Sequence, residues 1–255
     1  MQPEEWHQAH DRHAAYFSRF TAEQNARLRG SQQLAGKLAL EEELNTNIKA
    51  AWDWLVAGQR WEELLDPFTI GLFHIGTMRE QMADMIPWLK EARLVMAADP
   101  RTARSLAFAV ISTAEIFCEE NEYLLENHPV ERMAMIWQLV QENQLAKDMG
   151  LWNAILAYMV YSRNLDPKAE TQLEQVVWQQ RKGNEPWQLG FALLFQAVRG
   201  GMYALDQEKL LEAAQIFKEL GVWYEQGLVA ELLGSQAIHQ KRPLYVILEY
   251  YEQAK

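Results

Sequence analysis

Three histidines, His7, His10 and His13, stand three residues apart near the start of the chain, with Glu4 and Asp11 beside them. On a helix, neighbours three apart lie within about 60° of each other around the axis, so two of these imidazoles could share one metal ion while the third points aside. Zinc sites favour an i, i+4 pair completed from another element, and no such spacing follows. The histidines therefore read as part of a polar first helix, with His13 packed. The acidic runs Glu41-Glu42-Glu43 and Glu119-Glu120-Glu122 read as solvated helix faces. Cys118 has no second cysteine to pair with, and the adjacent Glu119 and Glu120 would raise a thiol pKa rather than activate it. Between Gly30 and Gly36 lie five residues where a phosphate loop needs four, and Leu38 stands where Ser or Thr must hold magnesium, so Gly36 reads as part of a turn. No nucleophile-elbow string or glycine-rich oxyanion loop is present. These readings assign no catalytic residue, no metal and no cofactor, and the chain is expected not to be an enzyme.

The elements that would position any site are helices. No Asn-Gly hairpin turn and no sustained two-residue alternation of β-branched residues occurs. The apolar spacing predicts a first helix over about Pro3 to Arg29, stopped by Gly30-Ser31 with glycine in the left-handed cap conformation. A second runs over about Leu38 to Ala57 and ends at Gly58. Helices over about Trp61 to Ile75 and Arg79 to Ala98 are separated near Gly76-Thr77, and Pro87 should kink or split the latter. Asp99-Pro100 marks a break, with Asp99 capping a helix over about Thr102 to Glu119. The domain boundary is placed there, giving an N-terminal helical region over 1–98 and a repeat array over 99–255.

Within the array a phrase recurs. KDMGLW, KGNEPW and KELGVW end at Trp152, Trp187 and Trp223, at intervals of 35 and 36 residues. Such a period denotes stacked helical hairpins. Four pairs follow: Thr102–Glu119 with Pro129–Asp148, through a polar connection over Asn121 to His128; Leu151–Arg163 with Pro167–Arg181; Pro186–Met202 with Gln207–Leu220; and Trp223–Gln240 with Pro243–Lys255. In the last pair, LLGSQAIHQ and ILEYYEQA follow the tetratricopeptide pattern, with Gly234 as the small residue, Tyr250 and Tyr251 as aromatics and Ala254 near the end. The third pair offers Ala197, Ala213 and Phe217 in similar places, with no glycine. The expected fold is all-α, a right-handed superhelix (α-solenoid) of antiparallel, tetratricopeptide-like hairpins.

Composition narrows the partners. A formal net charge of −11 spread along the helices argues against direct nucleic-acid or anionic-membrane binding. No apolar run approaches the roughly 18 residues of a membrane span, and MQPEEWHQAH has neither basic patch nor apolar signal core. A cytoplasmic protein is expected, and the abrupt helical start suggests a chain cut from something longer.

The N-terminal text carries a further likeness. Arg12, His13, Tyr16 and Phe17, followed by Glu41, Glu43, Asn45, Asn47, Ala50, Ala51 and Trp54, resemble an RHAxYF-like helix preceding an acidic LExExxNxxxAxxW helix. That pair of strings follows the nucleotide-binding and winged-helix modules of bacterial STAND signal-transduction ATPases, which include LuxR-type and AfsR-like transcriptional regulators and are related to the maltose regulator. The resemblance implies a C-terminal helical sensor that inhibits or oligomerises an upstream ATPase by binding an effector, such as a small-molecule inducer, or a partner domain. A free-standing adaptor docking peptide segments of partner proteins is the alternative.

Recurrence points Trp152, Trp187, Trp223 and Tyr224 to packing between hairpins rather than to ligand contact. Candidate binding residues are the irregular positions on the inner face of each first helix: Arg163, Phe191, Leu194, Glu231, Ser235 and His239, with Tyr158 and Arg199 close by. The last helix, with Leu244, Val246 and Ile247, reads as too apolar for a solvating cap.

Overall fold

Helix accounts for all the regular structure among the described residues. The computed structural model describes residues 3–79, 82–121, 129–201, 204–243 and 245. They divide into two compact units, 1–129 and 130–255. The boundary expected at 98/99 falls inside the first unit.

In the first unit, helix α1 (Pro3–Leu28) is followed by α2 (Gln33–Glu43), a π-helical turn over Leu44–Ile48, and α3 (Lys49–Ala57). The helix expected over Leu38 to Ala57 thus starts earlier and is interrupted by the π turn. Helix α1 buries Ala14, Phe17, Thr21, Gln24, Asn25 and Leu28, a stripe at three-four spacing, against α2, α3 and the later α5. Gly36 corrects the reading of a turn: it lies inside α2, where an added Cβ would stand 3.0 Å from the Arg27 Cβ and from the Gln24 carbonyl. The missing side chain lets α1 and α2 approach. Gly30 is likewise not in the left-handed region, since the glycines with positive φ are Gly150, Gly201 and Gly221 among the described residues.

Helix α4 (Trp61–Leu64), a π turn over Leu65–Thr69 and α5 (Ile70–Arg79) follow. Gly76-Thr77 does not separate helices as expected, because α5 runs through it with the Thr77 hydroxyl donating to the His74 carbonyl at 2.8 Å. A 3-10 turn over Met82–Met85 leads into α6 (Ile86–Ala97), so Pro87 falls in the first turn, where its missing N–H costs nothing. Asp99 accepts from the backbone N–H of Arg101 and so caps only a short 3-10 turn over Thr102–Arg104. The cap of α7 (Leu106–Asn121) is instead Ser105, whose Oγ accepts from the Phe108 N–H at 3.2 Å. Helices α5 and α7 are buried almost all round, the burial expected of interior helices.

In the second unit, α8 (Val130–Glu142), α9 (Leu151–Ser162), α10 (Lys168–Lys182), α11 (Pro186–Val198), α12 (Gln207–Leu220) and α13 (Trp223–His239) follow one another through short breaks. Each packs on the next, and α9 also packs on α11. These successive hairpins are consistent with an α-solenoid. Asp166 and Asp206 cap the second helices α10 and α12 by accepting from the N–H of Lys168 and Lys209. Gly221 ends α12 with φ 72°, the left-handed conformation that only glycine adopts without strain. A small residue does occur in the third pair: Gly190 on α11, whose added Cβ would meet the Phe217 ring of α12 at 2.4 Å. The connection over 122–128 and the helix expected from Pro243 onward, with Tyr250, Tyr251 and Ala254, lie outside the described residues apart from Pro243 and Tyr245.

Candidate functional site

The candidate residues of the second unit separate into buried and reachable groups. Phe191 and Leu194 are 3% and 6% exposed, and the Phe191 ring lies 4.6 Å from Trp187 and 5.6 Å from Phe217. They are packed into the array and do not face an open groove. Tyr158 is half-buried, with its ring 5.3 Å from Phe195, so this pair joins α9 to α11. Arg163 and Arg199 sit at the C-terminal ends of α9 and α11, where a cation meets the negative end of the helix dipole, and His239 ends α13. Arg199 is further held by Glu170 at 3.1 Å and Glu174 at 3.8 Å on α10. Of the candidates, Arg163 and, on α13, Glu231 and His239 are exposed, and Tyr158, Arg199 and Ser235 are half-buried.

The tryptophans are divided too. Trp152 and Trp187 are 3% and 1% exposed, as recurrence implied, but Trp223 is 49% exposed. The Trp187 Nε1–H donates to Glu225 at 2.8 Å, a contact from the first turn of α11 to the first turn of α13. Glu225 is fully buried. Sequence spacing alone did not reveal this carboxylate, although its place in the first turn of a helix is a favourable one for an acid.

In the first unit the residues of the two N-terminal strings meet. Asn47 donates through Nδ2 to Glu43 at 2.6 Å, which leaves its Oδ1 to accept from His13 Nε2 at 3.1 Å. Two residues earlier on α1, Asp11 accepts from the Trp54 indole at 2.9 Å and from Arg60 at 2.7 Å. The Trp54 hydrogen bond, and then Arg60, hold the Asp11 carboxyl below its usual range. His10 stacks on Trp54 with ring centroids 4.7 Å apart, and Trp6 covers both. The histidines thus serve an aromatic and hydrogen-bonded contact between α1 and α3. Among the described residues no group of three or more His, Cys, Asp or Glu side chains is placed to hold a metal ion, and no helix is long and apolar enough to cross a membrane. Cys118 is buried.

No protein-family model, curated protein or solved structure matches this chain.

Proposed function

We propose that this chain is the non-enzymatic helical-repeat sensor and interaction region of a STAND-type signalling or transcriptional regulator, binding an effector or partner domain and thereby controlling an upstream ATPase. The observation that carries the reading is the pairing of the two family-like strings. His13 with Asn47 of the π turn, and Asp11, just before the first string, with Trp54 of α3, form one polar and aromatic clasp. Few of these residues are needed merely to fill a core, since Trp54 and His13 are only part-buried and Asp11 is exposed. The consecutive hairpins of the second unit add an extended scaffold suited to protein contacts. Sequencing the reading frame upstream of Met1 tests the proposal. An in-frame nucleotide-binding and winged-helix module is expected, and a frame lacking both would sink it.

A tetratricopeptide-like adaptor is the second reading, favoured by the half-buried Tyr158 beside Phe195 and the reachable Arg163. Pull-down with the full chain separates the two. Discrete peptide-bearing clients, released by Y158A, favour the adaptor, whereas retention of an ATPase module alone favours the sensor.

A further inference from the structure

The third residue of α9, α11 and α13 is polar in each case: Asn153, Gln188 and Glu225. Two of these side chains meet a group from earlier in the chain. Gln188 Oε1 accepts from Gln180 Nε2 at 3.4 Å, and Glu225 accepts from the Trp187 indole at 2.8 Å. Asn153 departs from them. Its side chain belongs to a residue only 1% exposed, yet neither Nδ2 nor Oδ1 has a hydrogen-bond partner among the described residues. The neighbours Leu151, Trp152 and all residues over 154–157 are buried as well, so the amide lies within an apolar stretch. Burying an amide without compensation is costly, and most buried polar groups are paired with protein or with ordered water.

Side chains on a helix lean towards its N-terminus, which directs Asn153 back over the first turn of α9. That turn has a donor to spare. The N–H groups of Trp152 and Asn153 reach the Met149 and Gly150 carbonyls at 3.1 and 3.2 Å, and Gly150 brings no capping side chain. The N–H of Leu151, a residue 1% exposed, makes no such bond among the described residues. A buried donor and a buried amide thus stand unpaired within one helical turn. We infer that the first turn of α9 holds an internal water molecule that accepts from the Leu151 N–H and donates to Asn153 Oδ1. This water supplies at α9 the pairing that Gln180 and Trp187 supply to Gln188 and Glu225. Water suits the site because it donates and accepts at once and brings no charge into apolar surroundings. The inference rests on the packing of α9 and stands apart from the sensor reading.

The test uses the full chain, deuterated at carbon and labelled with heavy nitrogen, with its amide resonances assigned through the backbone. Water-selective NOE and ROE spectra should show cross-peaks from the water line to the Leu151 N–H and to the Asn153 side-chain amide. Their signs should be opposite in the two spectra, the pattern of a long-lived internal water. In N153L, which keeps the branched shape and removes the amide, the Leu151 cross-peak should be lost. Absence of both cross-peaks from the wild-type spectra, or equal signs in the two, as passing solvent gives, overturns the proposal whether or not the variant folds. A Leu151 cross-peak that persists in folded N153L overturns the part assigned to Asn153.

Discussion

Among the described residues each of the two units buries one glutamate side chain completely, and the two meet different surroundings. In the first unit Glu115 lies in the middle of α7, with no helix end near it in sequence, and it is met by the Arg93 guanidinium of α6, whose Nη2 also donates at 3.3 Å. In the second unit Glu225 is the third residue of α13, among the first-turn N–H groups and the positive end of the dipole, and it accepts from the Trp187 indole across the helices. Mid-helix, burial without a cation would cost several kcal/mol, whereas in the first turn the backbone itself supplies donors.

The largest consequence is expected at Arg93. R93A leaves Glu115 buried without its cation, and unfolding in urea followed by circular dichroism should show a loss of about 3 kcal/mol at neutral pH. The double variant R93M/E115L should regain much of the loss, because an apolar pair of similar volume needs no compensation. A loss no greater than that of R181A, which removes the surface pair of Arg181 with Glu212 at 2.7 Å, would remove the distinction between the units.

Close helix approach is the next largest effect. G190V puts side-chain atoms where the Phe217 ring stands and should cost about 1–3 kcal/mol by overpacking, read in the same unfolding measurement. Combining it with F217A should return part of that loss, and strict additivity would argue against the close contact. This position also shows where the sequence is legible and where it is not. Punctuation by Pro and Gly and the apolar period are local signals, and they place α1, α10, α11 and α12 within a few residues of where they stand. Gly36 and Gly190 are different. A glycine inside a helix looks like a break or goes unnoticed until the helix crossing it is known. The burial of Phe191 and Leu194 has the same origin, because which side of an all-apolar helix such as α11 stays open depends on neighbours distant in the chain. The Glu225 carboxylate was hidden in the sequence because its partner Trp187 lies 38 residues away.

The comparison sharpens within the second unit at the two tryptophans. W187F removes the donor to a buried carboxylate and should cost about 1.5 kcal/mol or more, whereas W223F, at an exposed ring, should stay within about 0.5 kcal/mol. Equal losses for the two would contradict the difference in their surroundings.

The smallest effect concerns how acids outside the core respond to pH. Asp166 lies between α9 and α10, its carboxyl held below the usual value of 3.8 first by the Trp137 indole, which donates at 2.8 Å, and then by the Lys168 N–H. A carboxyl whose native pKa is depressed stabilises the fold above its unfolded value, and that contribution is lost as the pH falls through the native one. D166N should therefore differ most from the wild type at neutral pH, and the difference should shrink as the pH drops below about 3.8. W137F removes the indole hydrogen bond and should move the acid limb of the wild-type curve to higher pH. If the D166N difference stays constant down to pH 2, the Trp137–Asp166 contact does not hold the carboxylate, and the indole donor contributes packing rather than charge stabilisation there.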